Sequence, residues 1–189
     1  IRESLQGQGL QQAQSLTLSN DDDQFTRVRL KPSGAVTRLT NPITHEHTVL
    51  RQNVLPALLR LLAANRHHEL PQKVFELGTV VRDHHNQERV AWAAAEVGGG
   101  FTAAKGLAQA LLRDLGADSI GLEVKFKALR EGEGPYLHGR GAKVIVGGEW
   151  VGCVGEIDPA LADEFELRVP IQAGEFDVDM LDRLIPDPV

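Results

Sequence analysis

The chain has 189 residues, of which 42% are hydrophobic and 24% charged, enough apolar material to bury the core of one domain. Its net charge of -6 removes any overall attraction for a phosphate backbone, so a nucleic-acid contact would need a local basic patch. A single cysteine, Cys153, excludes an internal disulfide and any CxxC pair, and no apolar run reaches membrane-spanning length, so a cytoplasmic location with no membrane partner is expected.

The spacing predicts a short helix over Ile1 to Leu10, ended by Gly7 and Gly9, and then a half-buried strand where Ala13 to Leu18 alternate. Ser19, Asn20 and Asp21 to Asp23 read as a turn, Val36 to Leu39 as an extended stretch, and Asn41-Pro42 as another turn. From Val49 to Leu62 leucines and valines recur at helical spacing, with Pro56 acceptable in a first turn capped by Asn53. Lys73 to Val81 has the Val and Phe content of a strand, and Val90 to Val97 that of its antiparallel return.

Gly98 to Gly100 precede a helix over Thr102 to Leu115 that stops at Gly116. Strands are expected at Gly121 to Leu129, Ala142 to Val146 and Trp150 to Ile157, the last two joined by a tight turn at Gly147-Gly148, with a surface loop over Arg130 to Gly141. Asp158-Pro159 starts a short helix, and Ile171 to Val178 forms a closing strand before a helical tail at Asp179 to Leu184. Single helices between strand pairs point to an α+β domain over 1–189, a mainly antiparallel sheet flanked by helices.

The segment NPITHEHTVLRQNVLPALLRLLAANRHHELPQKVFELGTVV, Asn41 to Val81, resembles the phenylalanyl-tRNA synthetase beta subunit family, particularly its archaeal and eukaryotic form. Ile1 to Leu18, the Phe101 to Leu115 helix with Lys105-Gly106, and GEIDPAL from Gly155 to Leu161 carry the same resemblance. It implies the class II aminoacyl-tRNA synthetase fold. It further implies a heterotetramer of two alpha and two beta chains, in which catalytic alpha subunits use ATP and Mg2+ to charge tRNA(Phe) and beta supplies architecture, tRNA contacts and proofreading. The proofreading and magnesium-associated regions are expected upstream of Ile1, so the chain reads as a fragment with no cofactor of its own.

An adenylating class II site needs placed arginines and magnesium-holding carboxylates around the triphosphate. Val80-Val81-Arg82-Asp83 resembles the position of one such arginine, Arg82. The return strand, however, reads Val90-Ala91-Trp92-Ala93-Ala94-Ala95-Glu96, and alanine can neither donate, accept nor ligate. In the closing segment Glu175, Asp177 and Asp179 replace the expected cation. Like charges about 4 Å apart repel by about 4 kcal/mol at an effective dielectric of about 20, which disfavours a triphosphate there.

The expectation is therefore a module with no catalytic residue, its relic cleft marked by Arg82, Glu96 and Tyr136. Val49, Leu50, Leu55, Leu58 and Leu62 are the interface candidates for the alpha subunit, because the helical stripe resembles the first class II motif. The alternative is a relic-cleft domain that binds a small ligand or tRNA without chemistry. The pairs His67-His68 and His84-His85 and the His45-Glu46-His47 triplet lack metal-ligand spacing, and Gly98 to Gly100 with Lys105 lacks the Ser or Thr of a phosphate loop. Cys153 reads as a small core residue, and Arg27, Arg29, Lys31 and Arg38 as a solvated strand face.

Overall fold

Helix α1 (Arg2–Gly7) leads into β1 (Gln11–Gln12), β2 (Leu18–Ser19), a π-helical turn at Asp22–Thr26 and β3 (Val49–Leu50) in a computed structural model that describes residues 1–185. The last four residues of the domain expected over 1–189 lie outside that range. Next come α2 (Leu55–Ala64), the long hairpin of β4 (Gln72–Arg82) and β5 (His85–Ala95), and α3 (Phe101–Asp114). The chain then forms β6 (Val124–Ala128), β7 (Tyr136–Val146), β8 (Glu149–Ile157), α4 (Pro159–Glu164), β9 (Ile171–Asp177) and α5 (Val178–Leu184).

Seven strands form one sheet in the order β1-β4-β5-β9-β8-β7-β6, antiparallel throughout except for the short β1 to β4 pair. The α+β class and the mainly antiparallel sheet are those expected from the sequence. Gly147 and Gly148, at φ 57° and 92°, turn β7 into β8 where Val146 faces Glu149. Both φ values lie in the left-handed region that a tight primed turn demands.

The period of two along β5 divides its side chains between two cores. Ala91, Ala93 and Ala95 face one core with Leu55, Leu58, Leu59 and Leu62 of α2 and Leu161 of α4. Val90 and Trp92 face the other with Ala104, Ala108, Leu111 and Leu112 of α3 and Leu181 of α5. Each fully buried leucine contributes about 1.5–3 kcal/mol of transfer free energy, so the two helical layers hold the sheet from both sides. In the second core the rings of Trp92 and Phe176 meet edge to face with centroids 5.0 Å apart. Gly174 lies beneath Trp92 so closely that a Cβ there would collide with the indole.

Four expectations need correction. Val49 and Leu50 are a strand paired with Leu18–Ser19 rather than helix, because Arg51, Gln52 and Asn53 interrupt the run with buried polar side chains. Arg51 forms a 2.8 Å ion pair with Glu76, both side chains almost fully buried, and Gln24 Oε1 accepts from the backbone N–H groups of Gln52 and Asn53. The helix starts only at Leu55, with Pro56 in its first turn and Val54, not Asn53, at its N-cap. The alternating Ala13 to Leu18 stretch is strand only at its end; Ala13 donates to the Phe75 carbonyl just past β1. The Ser19 to Asp23 turn continues into the π-helical turn, begun where Asn20 Oδ1 accepts from the Asp23 N–H. The loop expected to Gly141 ends at Pro135, since Tyr136–Gly141 are already in β7, with an irregular register opposite β8.

Candidate functional site

One row of side chains crosses the sheet on the α2 side. Strand register aligns Ala91 with Glu175, Glu175 with Cys153, and Cys153 with Lys143, while Arg89 sits one step further along β5 on the same face. Beyond the start of α2 the helix no longer covers this row, which floors a cleft of about 430 Å³ walled by Leu30, Leu55, Leu129, Pro135, Tyr136 and Trp150.

Glu175 is the hub of the floor. Its Oε1 accepts from Arg89 Nε at 2.6 Å, and its Oε2 accepts from the backbone N–H groups of Val54 at 3.1 Å and Leu55 at 2.9 Å. Helix α2 has no capping side chain of its own, so a carboxylate from β9 satisfies its first donors and meets its positive dipole end. Asp177 lies 3.7 Å from Arg89 and caps α5 by accepting from the Met180 N–H, while Asp179 accepts from the Glu88 N–H. The three carboxylates expected to repel a triphosphate are thus engaged with protein donors, a partnership the sequence did not disclose.

Arg82 enters the cleft at the end of the β4 to β5 hairpin. Its Nε donates to the Gln52 carbonyl at 2.9 Å and its Nη2 to Asn53 Oδ1 at 2.8 Å, and among the described residues no carboxylate lies within ion-pair distance of it. Burial, and then the neighbouring Arg89 charge, lower its pKa to about 10. Tyr136 donates from its hydroxyl to the Cys153 carbonyl at 3.3 Å, and burial pushes its own pKa well above the usual phenol value. Cys153 is a half-buried cleft residue rather than a core one; burial pushes its thiol up to about 11, which keeps it protonated and a poor nucleophile near neutrality.

Of the three relic-cleft candidates, Arg82 and Tyr136 come together and Glu96 does not. Glu96 follows the far end of β5, about 24 Å along the strand from Arg89 at about 3.4 Å per residue, where it pairs with Lys73 and accepts from Gln172. The interface candidates Val49, Leu55, Leu58 and Leu62 are all 2% exposed or less within this chain, and Leu50 is half-buried against Leu18. Val49, Leu55, Leu58 and Leu62 thus belong to the chain's own core, and Leu50 alone keeps some exposed surface. The basic stretch is not a strand face: Arg27 pairs with Asp23 and stacks over Phe165, Arg29 pairs with Asp158, Arg38 with Asp21, and only Lys31 turns to the cleft. Lys105 lies on α3 over the Phe126 ring. Arg89, Lys143 and Trp150 were not singled out from the sequence, although the period of two places Arg89 on the alanine face.

Residues 1–178 match the family model of the phenylalanyl tRNA synthetase beta chain CLM domain. The chain belongs to this family. Similar curated proteins are the phenylalanine–tRNA ligase beta subunit of Methanopyrus kandleri, 38% identical over 96% of this chain and 31% of that protein, and that of Archaeoglobus fulgidus, 32% identical over 94% and 31%. This CLM domain chain therefore spans about a third of the length of the relatives it matches. Among solved structures, the pyrrolysyl tRNA synthetase PylSc of Desulfitobacterium hafniense is similar with a TM-score of 0.72 at 15% identity, covering 96% of this chain and 64% of that one. That likeness places the CLM domain in the class II synthetase fold. Among its described residues no helix is long and apolar enough to cross a membrane.

Proposed function

We propose that this CLM domain is a non-catalytic, class II synthetase-like module of a cytoplasmic phenylalanine–tRNA ligase, packing against the catalytic alpha subunit in an assembly of two alpha and two beta chains. In that assembly it supports the charging of tRNA(Phe) with phenylalanine, for which the alpha subunit uses ATP and Mg2+. The observation that carries the reading is the sealed alanine face: Ala91, Ala93 and Ala95 lie under Leu58, Leu59 and Leu62 of α2. A nucleotide or amino acid would have to displace that helix to reach those alanines.

The charges of the remaining cleft support the same reading. Adenylation requires cations free to follow charge developing on the α-phosphate and carboxylates free to hold magnesium. Arg82 has no carboxylate partner among the described residues, but Glu175 is engaged by Arg89 and two backbone N–H groups and Asp177 and Asp179 serve backbone donors, so none of these three carboxylates is free to hold magnesium. Since the leucine stripe is internal, the partner surface falls to exposed apolar side chains near the small β2 to β3 sheet, Leu16 at 64% and Ile43 at 99% exposure.

Two measurements test the reading. The chain mixed with ATP, Mg2+ and phenylalanine should exchange no pyrophosphate, and the longer beta subunit carrying it should co-purify with alpha through a surface that includes Ile43. Phenylalanine-dependent exchange above the protein-free control would overturn the non-catalytic assignment, and loss-free association after disruption of Leu16 and Ile43 would move the docking surface elsewhere.

A further inference from the structure

The uncovered cleft has a charge its own neighbours do not balance. Four cationic side chains line it, Lys31, Arg82, Arg89 and Lys143, against two lining carboxylates, Glu133 and Glu175, with Asp177 beside Arg89 at 3.7 Å as a third. Glu175 has no capacity to spare, since it accepts from Arg89 and from two backbone N–H groups. Glu133 reaches Lys143 at 3.4 Å near the surface and also accepts from the Arg130 N–H. Arg82 bonds only neutral oxygens, and among the described residues neither it nor Lys31 has a carboxylate within ion-pair distance. A partly desolvated guanidinium beside a second guanidinium gains from any anion that can reach it.

The walls supply the other half of the recognition. Leu30, Leu55, Leu129 and Pro135 are apolar, and Tyr136 and Trp150 present aromatic rings. The space of about 430 Å³ is in the range of ordinary small-molecule sites. A suitable occupant brings one negative charge and one flat apolar body.

We propose that this cleft binds a small aryl-alkanoate, its carboxylate on Arg82 and its ring among Leu55, Leu129 and Trp150. The same charges set a specificity. An α-amino group would enter as a cation among Arg82, Arg89 and Lys143 and would find the buried carboxylate already occupied, so the des-amino acid is preferred over the amino acid of the same skeleton. This selectivity is opposite to that of an amino-acid-activating site, which must hold the ammonium. The proposal does not rest on docking to an alpha subunit and can fail or succeed apart from it.

The two tryptophans make the test internal. Trp92 is fully buried on the far side of the sheet and reports on folding, while Trp150 is 59% exposed at the cleft. In the ¹⁵N-labelled chain, titration with 3-phenylpropionate should move the Trp150 indole signal and leave that of Trp92 in place. Phenylalanine and phenethylamine should bind at least ten-fold more weakly, and Arg82→Gln should lower 3-phenylpropionate affinity at least ten-fold. Should Arg82→Gln disturb the Trp92 signal, Lys31→Gln at an exposed position replaces it, with a loss of about three-fold expected from removal of one screened charge. An unmoved Trp150 signal at millimolar 3-phenylpropionate in a folded chain overturns the proposal, as does equal affinity for phenylalanine or unchanged affinity in the cation variants.

Discussion

Replacing Glu175 by Gln removes one charge and almost no volume, and it should be among the most damaging conservative changes available in this chain. The amide oxygen of the new side chain could still accept from the Val54 and Leu55 N–H groups, but its NH2 would then face Arg89 Nε, donor against donor. Arg89, with a side chain only 9% exposed, would retain, among the described residues, only Asp177 at 3.7 Å as a carboxylate partner. Breaking a buried ion pair from one side costs about 3–5 kcal/mol, because the surviving charge stays desolvated. With about 4 kcal/mol lost and a urea m-value of about 3 kcal/mol/M for a chain of this size, the midpoint should fall by about 1.3 M. Trp92 fluorescence would follow the transition. The double variant E175Q/R89M removes both charges and should recover at least about half the loss, since a buried pair and its apolar replacement are often near equal in stability. A Glu175→Gln midpoint within about 0.3 M of the parent would refute the assignment of Glu175 as the hub.

Three further outcomes follow from the same structure. Ala93→Gln, which returns a polar group to the return strand, should cost about 2–4 kcal/mol by crowding α2 and burying an unpaired amide, read as a lowered thermal midpoint and accompanied by no pyrophosphate exchange. Ile43→Asp should leave the thermal midpoint within about 1 °C, because scattered surface changes cost little, yet weaken co-purification of the longer beta subunit with alpha. Alkylation of Cys153 by iodoacetamide should rise with a midpoint near pH 11 instead of the ordinary thiol value. The folded state holds that proton more tightly than the unfolded chain, so the associated stability is complete below the ordinary thiol pKa and is lost as pH rises through about 11.

What could be read from the sequence was whatever depends on neighbours close in the chain. The β4 to β5 hairpin, the Gly147-Gly148 turn, α3 with its stop at Gly116, and the Asp158 cap of α4 all follow from local period and turn chemistry. What escaped depends on partners far apart. Arg51 to Asn53 look like a tolerable polar break in a helical stripe until Glu76 and Gln24 are seen to bind them. Glu175 and Asp179 look like bare repulsive charge until Arg89 and backbone N–H groups 86 to 121 residues away are placed beside them, whereas Asp177 caps α5 through the Met180 N–H three residues on. The leucine stripe was legible as apolar, but its periodicity is the same whether the stripe is covered by its own sheet or by another subunit.

The position of β9 governs how the chain can assemble. It is the last strand among the described residues yet lies in the middle of the sheet, between β5 and β8. Before Ile171–Asp177 leave the ribosome, β4 with β5 and β6 with β7 and β8 can pair only as two separate antiparallel units, each with an exposed inner edge. The final strand then joins them through registers with both neighbours and delivers Glu175 to the start of α2. Completion of the sheet is thus a late, non-local event, the kind that loop-closure entropy makes slow, and the nascent chain carries two open edges until it occurs.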